Sequence, residues 1–81
     1  VYGRVQNVGF RFYTQKTAEM LKIKGFVKNK PDGSVYIEAI GDEDNMNDFI
    51  KYCRKGPTWA NVTKVDIQDC PVKDFNGFSI Q

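Results

Sequence analysis

At 81 residues the chain is long enough for one hydrophobic core and too short for a second, and 41% hydrophobic with 27% charged residues is globular rather than disordered composition. It contains no histidine, which removes Ser-His and Cys-His nucleophile pairs and the commonest transition-metal ligand. The net charge is +2 but unevenly spread: residues 1–30 hold seven Lys/Arg against Glu19 alone, and the remainder five against nine Asp/Glu, a pattern that suits either an anionic ligand near the first third or a solvated mixed surface.

In chain order, Val1 and Tyr2 read as the remnant of a first strand ahead of Gly3. A mean strand runs to about five or six residues, so this one is expected to be truncated, with further residues ahead of Val1 in the intact protein. Phe10, Tyr13, Thr14, Thr17, Ala18 and Leu21 recur at helical spacing and predict a helix from Phe10 to Lys22, with Gly25 past its end. Phe26–Asn29 and Ser34–Gly41 flank Lys30-Pro31-Asp32-Gly33, and Val35, Ile37 and Ala39 alternate with polar neighbours, which predicts a hairpin. A second helix follows: Asp42 is placed to cap it, Glu43 and Asp44 suit its positive end, Arg54 and Lys55 its negative end, and Gly56 stops it. Its apolar face is Met46, Phe49, Ile50 and Cys53, which makes Cys53 core filler rather than a nucleophile. Thr63, Val65 and Ile67 alternate in a further strand, and Phe78 and Ile80 in a last short one.

This order predicts one α/β (α+β) domain over residues 1–81, a ferredoxin-like sandwich with two helices packed on one face of a mostly antiparallel sheet of four to five strands. Cys53 and Cys70 lack the Cys-x-x-Cys spacing and are expected as free thiols. No apolar run approaches the ~20 residues of a membrane span and no secretory leader is legible, so a cytoplasmic monomer with no membrane partner is expected.

The segment Gly3-Arg4-Val5-Gln6-Asn7-Val8-Gly9-Phe10-Arg11 hands a strand to a helix with glycine at both ends. Such a turn can aim successive N–H groups at an anion lying at the helix N-terminus, and Arg11 brings a planar fork suited to two phosphate oxygens. A plain connection with a surface arginine is the other reading of the same residues. Neither Gly-Lys-Ser/Thr nor Gly-x-Gly-x-x-Gly is present, which disfavours nucleoside triphosphates and dinucleotides.

The same nine residues resemble the first signature of the acylphosphatase family, and Gly25-Phe26-Val27-Lys28-Asn29 with Gly33, Val35 and Gly41 is similar to its second. The likeness extends through Gly56-Pro57 and Gly77-Phe78-Ser79-Ile80. It implies hydrolysis of the carboxyl–phosphate bond of small acyl phosphates to carboxylate and inorganic phosphate, without metal or cofactor. By position, Arg11 would bind phosphate and Asn29 orient the attacking water, with Gln6, Asn7, Val8, Gly9 and Phe10 completing the phosphate site. Read locally, Asn29 is a strand-end residue serving the turn at Pro31. Asn7 departs from the family pattern, which carries glycine there; asparagine is the least costly substitute if that position needs positive φ. A catalytically weakened anion-binding domain is therefore one alternative. An RNA-binding module is another, since Lys24-Gly25-Phe26-Val27 echoes an RNP1 motif, but the further aromatics are missing and no nucleic-acid partner is expected.

Overall fold

The structure, a computed structural model, describes residues 1–6, 9–58, 60–68 and 75–81. Its elements are β1 (Tyr2–Arg4), α1 (Phe10–Met20), β2 (Lys24–Asn29), β3 (Val35–Ile40), α2 (Glu43–Lys55), β4 (Asn61–Lys64) and β5 (Phe78–Ile80). β3, β2 and β5 form one sheet, β3 antiparallel and β5 parallel to β2, while β1 and β4 pair antiparallel. Val1 links the two: its nitrogen donates to the Val35 carbonyl at 2.7 Å and its carbonyl accepts from the Val35 N–H at 2.9 Å. That reciprocal exchange is an antiparallel bridge, and it lines up all five strands in the order β4-β1-β3-β2-β5.

Alternation decides which side of the sheet the helices cover. In β2, Gly25 and Val27 are buried while Lys24 is exposed, and Val35 is buried opposite Asn29. α1 contributes Phe10, Thr14 and Ala18, a stripe at four-residue steps, and α2 contributes Phe49 and Cys53. With Val5, Ile23, Val27, Val35 and Phe78, all of these but the polar Thr14 form a single apolar cluster, in which Phe49 meets Phe78 edge-on at 6.0 Å between ring centres. Phe10 is 1% exposed, and truncating so buried a ring costs about 3–5 kcal/mol. The ferredoxin-like sandwich expected from the element order is the observed architecture.

Several boundaries differ from the sequence reading. α1 ends at Met20, and Tyr13 lies half-exposed off its buried stripe. In α2, Tyr52 joins the core where Ile50 was expected, and Asp42 caps only through its carbonyl, which accepts the Met46 N–H at 2.8 Å. β4 begins earlier, at Asn61, and stops at Lys64, because its partner β1 supplies only three residues to pair with. Val65 and Ile67 alternate without a ladder, and Ile67 is exposed. β2 starts at Lys24, so Gly25 is a strand residue; a methyl group there would run into the Glu38 carbonyl of β3, which explains the glycine. Cys53 is a free thiol as expected, and Cys70 lies outside the described residues. No described helix is long and apolar enough to cross a membrane.

Candidate functional site

The start of α1, the end of β2 and the end of β5 meet at a cleft of about 180 Å³. Its walls are Val5, Gly9, Phe10, Arg11, Phe12, Asn29 and Ile80. Two residues singled out from sequence, 18 positions apart, therefore face one cavity, Arg11 from the first helical turn and Asn29 from the last residue of β2.

Gly9 is the N-cap of α1 and takes the left-handed conformation, φ 78°, which glycine adopts without the steric cost a β-carbon brings. It lets the chain turn sharply into the helix. The first helical hydrogen bond runs from the Tyr13 N–H to the Gly9 carbonyl at 3.0 Å, so the N–H groups of Phe10, Arg11 and Phe12 have no acceptor within the helix. These donors and the positive end of the helix dipole lie at the cleft, where they favour negative charge.

Arg11 is held from the end of β5. Its Nη1 donates to the Gln81 carbonyl at 3.0 Å, and Gln81 is itself fixed by its N–H donating to the Val27 carbonyl at 2.8 Å. One corner of the guanidinium is thus committed to the fold, and the remaining donors keep their capacity for an oxyanion. Sequence reasoning did not find Gln81, because nothing local marks a contact made 70 residues away.

Asn29 differs from every other described polar side chain: its Oδ1 is buried and accepts no hydrogen bond among the described residues. A buried acceptor left unpaired carries a desolvation cost of about 1–3 kcal/mol, so its retention needs a reason. A donor entering the cleft, such as water, supplies one. The local alternative, in which Asn29 satisfies the Pro31 turn, is not what holds that turn. Asp32 Oδ1 accepts from the Ser34 N–H at 2.9 Å and from Ser34 Oγ at 2.6 Å, while Lys30 N–H donates to the Ser34 carbonyl at 2.9 Å. The two Ser34 hydrogen bonds hold the Asp32 carboxyl below its ordinary value of 3.8.

The Gln6 side chain clamps that same turn, Nε2 donating to the carbonyls of Lys30 at 2.7 Å and Ser34 at 2.9 Å. It ties the segment before the helix to the strand end carrying Asn29. Of the other residues expected at phosphate, Phe10 has its ring in the core while its backbone opens the helix, and Asn7 and Val8 lie outside the described residues. The apolar walls Phe12 and Ile80 went unrecognised as site residues; Phe12 falls off the buried stripe of α1, which was the one available signal.

Comparison with known proteins shows the family and the fold. The acylphosphatase family profile matches residues 1–80. The chain is 46% identical over 82 residues to an acylphosphatase from Ligilactobacillus salivarius and 41% identical over 80 residues to one from Archaeoglobus fulgidus, covering in each case 99% of this chain and 90% of the relative. A solved acylphosphatase structure from Coxiella burnetii superimposes with a TM-score of 0.96 at 34% identity, over 100% of this chain and 85% of that one.

Proposed function

The chain belongs to the acylphosphatase family, and on that premise we propose how its residues divide the hydrolysis of a small acyl phosphate into carboxylate and inorganic phosphate. The phosphoryl group sits at the N-terminus of α1, held by the Arg11 guanidinium and the loop amides from Gln6 to Phe10. Asn29 Oδ1 accepts a hydrogen bond from the attacking water and aims its oxygen at phosphorus. As the new P–O bond forms, the bond to the acyl oxygen breaks and its electron pair leaves with the carboxylate. The water proton passes to a non-bridging phosphoryl oxygen, so no histidine is required. An acyl phosphate has a good leaving group, and positioning with charge stabilisation supplies most of the catalysis.

The observation supporting this division is the buried Asn29 Oδ1, unpaired among the described residues, in the cleft that Arg11 lines. The Cys53 thiol is no rival nucleophile: burial pushes it up to about 12, leaving it protonated at neutral pH. In the same reading the protein works as a cytoplasmic monomer, since a single chain provides every group the mechanism uses.

The test is hydrolysis of benzoyl phosphate in heavy-oxygen water. Attack on phosphorus puts the label into inorganic phosphate, whereas label in benzoate would overturn the roles given to Arg11 and Asn29. Light scattering at micromolar concentration checks the monomer.

A further inference from the structure

The cleft is two-sided. Gly9, Arg11 and Asn29 make a polar wall suited to the phosphoryl group, and Phe12 and Ile80 add an apolar one. Both of these side chains are unusually open to solvent for their type, Phe12 at 50% and Ile80 at 39%. A lone exposed apolar residue needs no explanation, but here two from different elements converge on one cavity. Their positions follow from the arginine contact itself: Phe12 follows Arg11 along α1, and Ile80 precedes Gln81, whose carbonyl holds Arg11. The apolar pair therefore stands beside the guanidinium.

Phe12 is also propped. Lys16, one turn on, lies with its Nζ 5.4 Å from the ring centre, and the Tyr13 ring meets it edge-on at 5.3 Å. A ring held in this way presents a fixed surface at low entropic cost to a ligand.

Resting on the hydrolase reading above, we propose that Phe12 and Ile80 form a platform for the acyl group, selecting acyl phosphates with an aromatic or extended apolar acyl chain over acetyl phosphate. The phosphoryl group at Arg11 leaves its acyl substituent at the cleft mouth, where a methyl group covers little of the platform and a phenyl ring covers much of it.

The experiment compares kcat/KM for benzoyl and acetyl phosphate in the unmodified chain and in Phe12→Ala, Phe12→Leu and Ile80→Ala. The benzoyl-to-acetyl ratio should fall about tenfold in Phe12→Ala, be largely kept in Phe12→Leu, and fall about threefold in Ile80→Ala. Binding of phenylphosphonate relative to methylphosphonate, followed by titration calorimetry, should follow the same order, a readout that does not depend on turnover. Hydrolysis of both substrates with an unchanged ratio in Phe12→Ala would overturn the platform and leave the hydrolase standing. If the unmodified chain hydrolysed neither, the hydrolase reading would fall and the platform with it.

Discussion

Two buried polar sites in this small protein are treated in opposite ways. Between the helices, Thr14 is fully buried on α1, and its Oγ1 lies 3.3 Å from the Tyr52 hydroxyl of α2, so the two groups satisfy each other within the core. At the end of β2, Asn29 keeps a buried oxygen without a partner among the described residues. The first pair is what folding alone selects, since each hydroxyl offsets the desolvation of the other. The second is what folding alone would remove, and it lies in the cleft lined by an arginine and the open end of a helix. Among the described residues, the satisfied polar groups mark structure and the unsatisfied one lies in the cleft proposed as the site.

This contrast can be broken by mutation, beginning with the largest effect. Arg11→Ala should cut kcat/KM for benzoyl phosphate by about a thousandfold and weaken inhibition by inorganic phosphate in parallel, because in the proposed mechanism the guanidinium holds the anion in ground and transition states alike. Lysine at position 11 should restore little, having the charge without the fork. Normal phosphate inhibition in Arg11→Ala would remove that residue from the site. Asn29→Ala should lower kcat about a hundredfold while the phosphate inhibition constant hardly moves, and thermal unfolding should show little loss of stability, since no bond to Oδ1 is given up.

Thr14→Val should do the reverse. It leaves the Tyr52 hydroxyl unpaired and should cost about 1 kcal/mol in chemical denaturation with kcat unchanged. A stable Thr14→Val variant beside a badly destabilised Asn29→Ala would invert the contrast. The helix interface also sets the alkaline limit. Burial, partly opposed by the Thr14 hydrogen bond, pushes Tyr52 from 10.0 up to about 12, and burial raises Cys53 from 9.0 to about 12. Both groups fold in their neutral forms, so their contribution is complete below the ordinary values and is lost as pH rises through 12. Denaturation midpoints should accordingly fall above about pH 9 while activity stays nearly flat from about pH 5 to 8. The smallest effect is expected at Asn7, where Asn7→Gly should raise turnover about threefold, and equal kinetics would show that the position is not critical.

Local pattern made much of this legible. The helices followed from apolar spacing and terminal charge, and the hairpin from the Pro31-Asp32-Gly33 turn between alternating strands. Arg11 and Asn29 were singled out through two short signatures, and the fold turns both toward one cleft. What escaped was set by distant partners. Val65 and Ile67 alternate as a strand should, yet a ladder ends where the neighbouring strand ends, and that length is written more than 50 residues earlier in β1. Gln6 reads as a loop amide until Lys30 and Ser34 turn out to be its acceptors. Asn29 as a residue could be picked from sequence, but that its oxygen finds no partner among the described residues is a property of the fold around it.

The bond from Arg11 to the Gln81 carbonyl has a consequence in time as well as in space. Arg11 is made early in synthesis, and its anchor arrives 70 residues later on a segment that must first align beside β2. Closing so long a loop is slow relative to forming α1 or the β2–β3 hairpin, so the guanidinium is oriented only after β5 has paired with β2. In refolding, helical signal should therefore return before substrate turnover does. A nascent chain that has formed its first helix but not β5 carries Arg11 without a direction, and on the proposed mechanism activity reports that folding has finished.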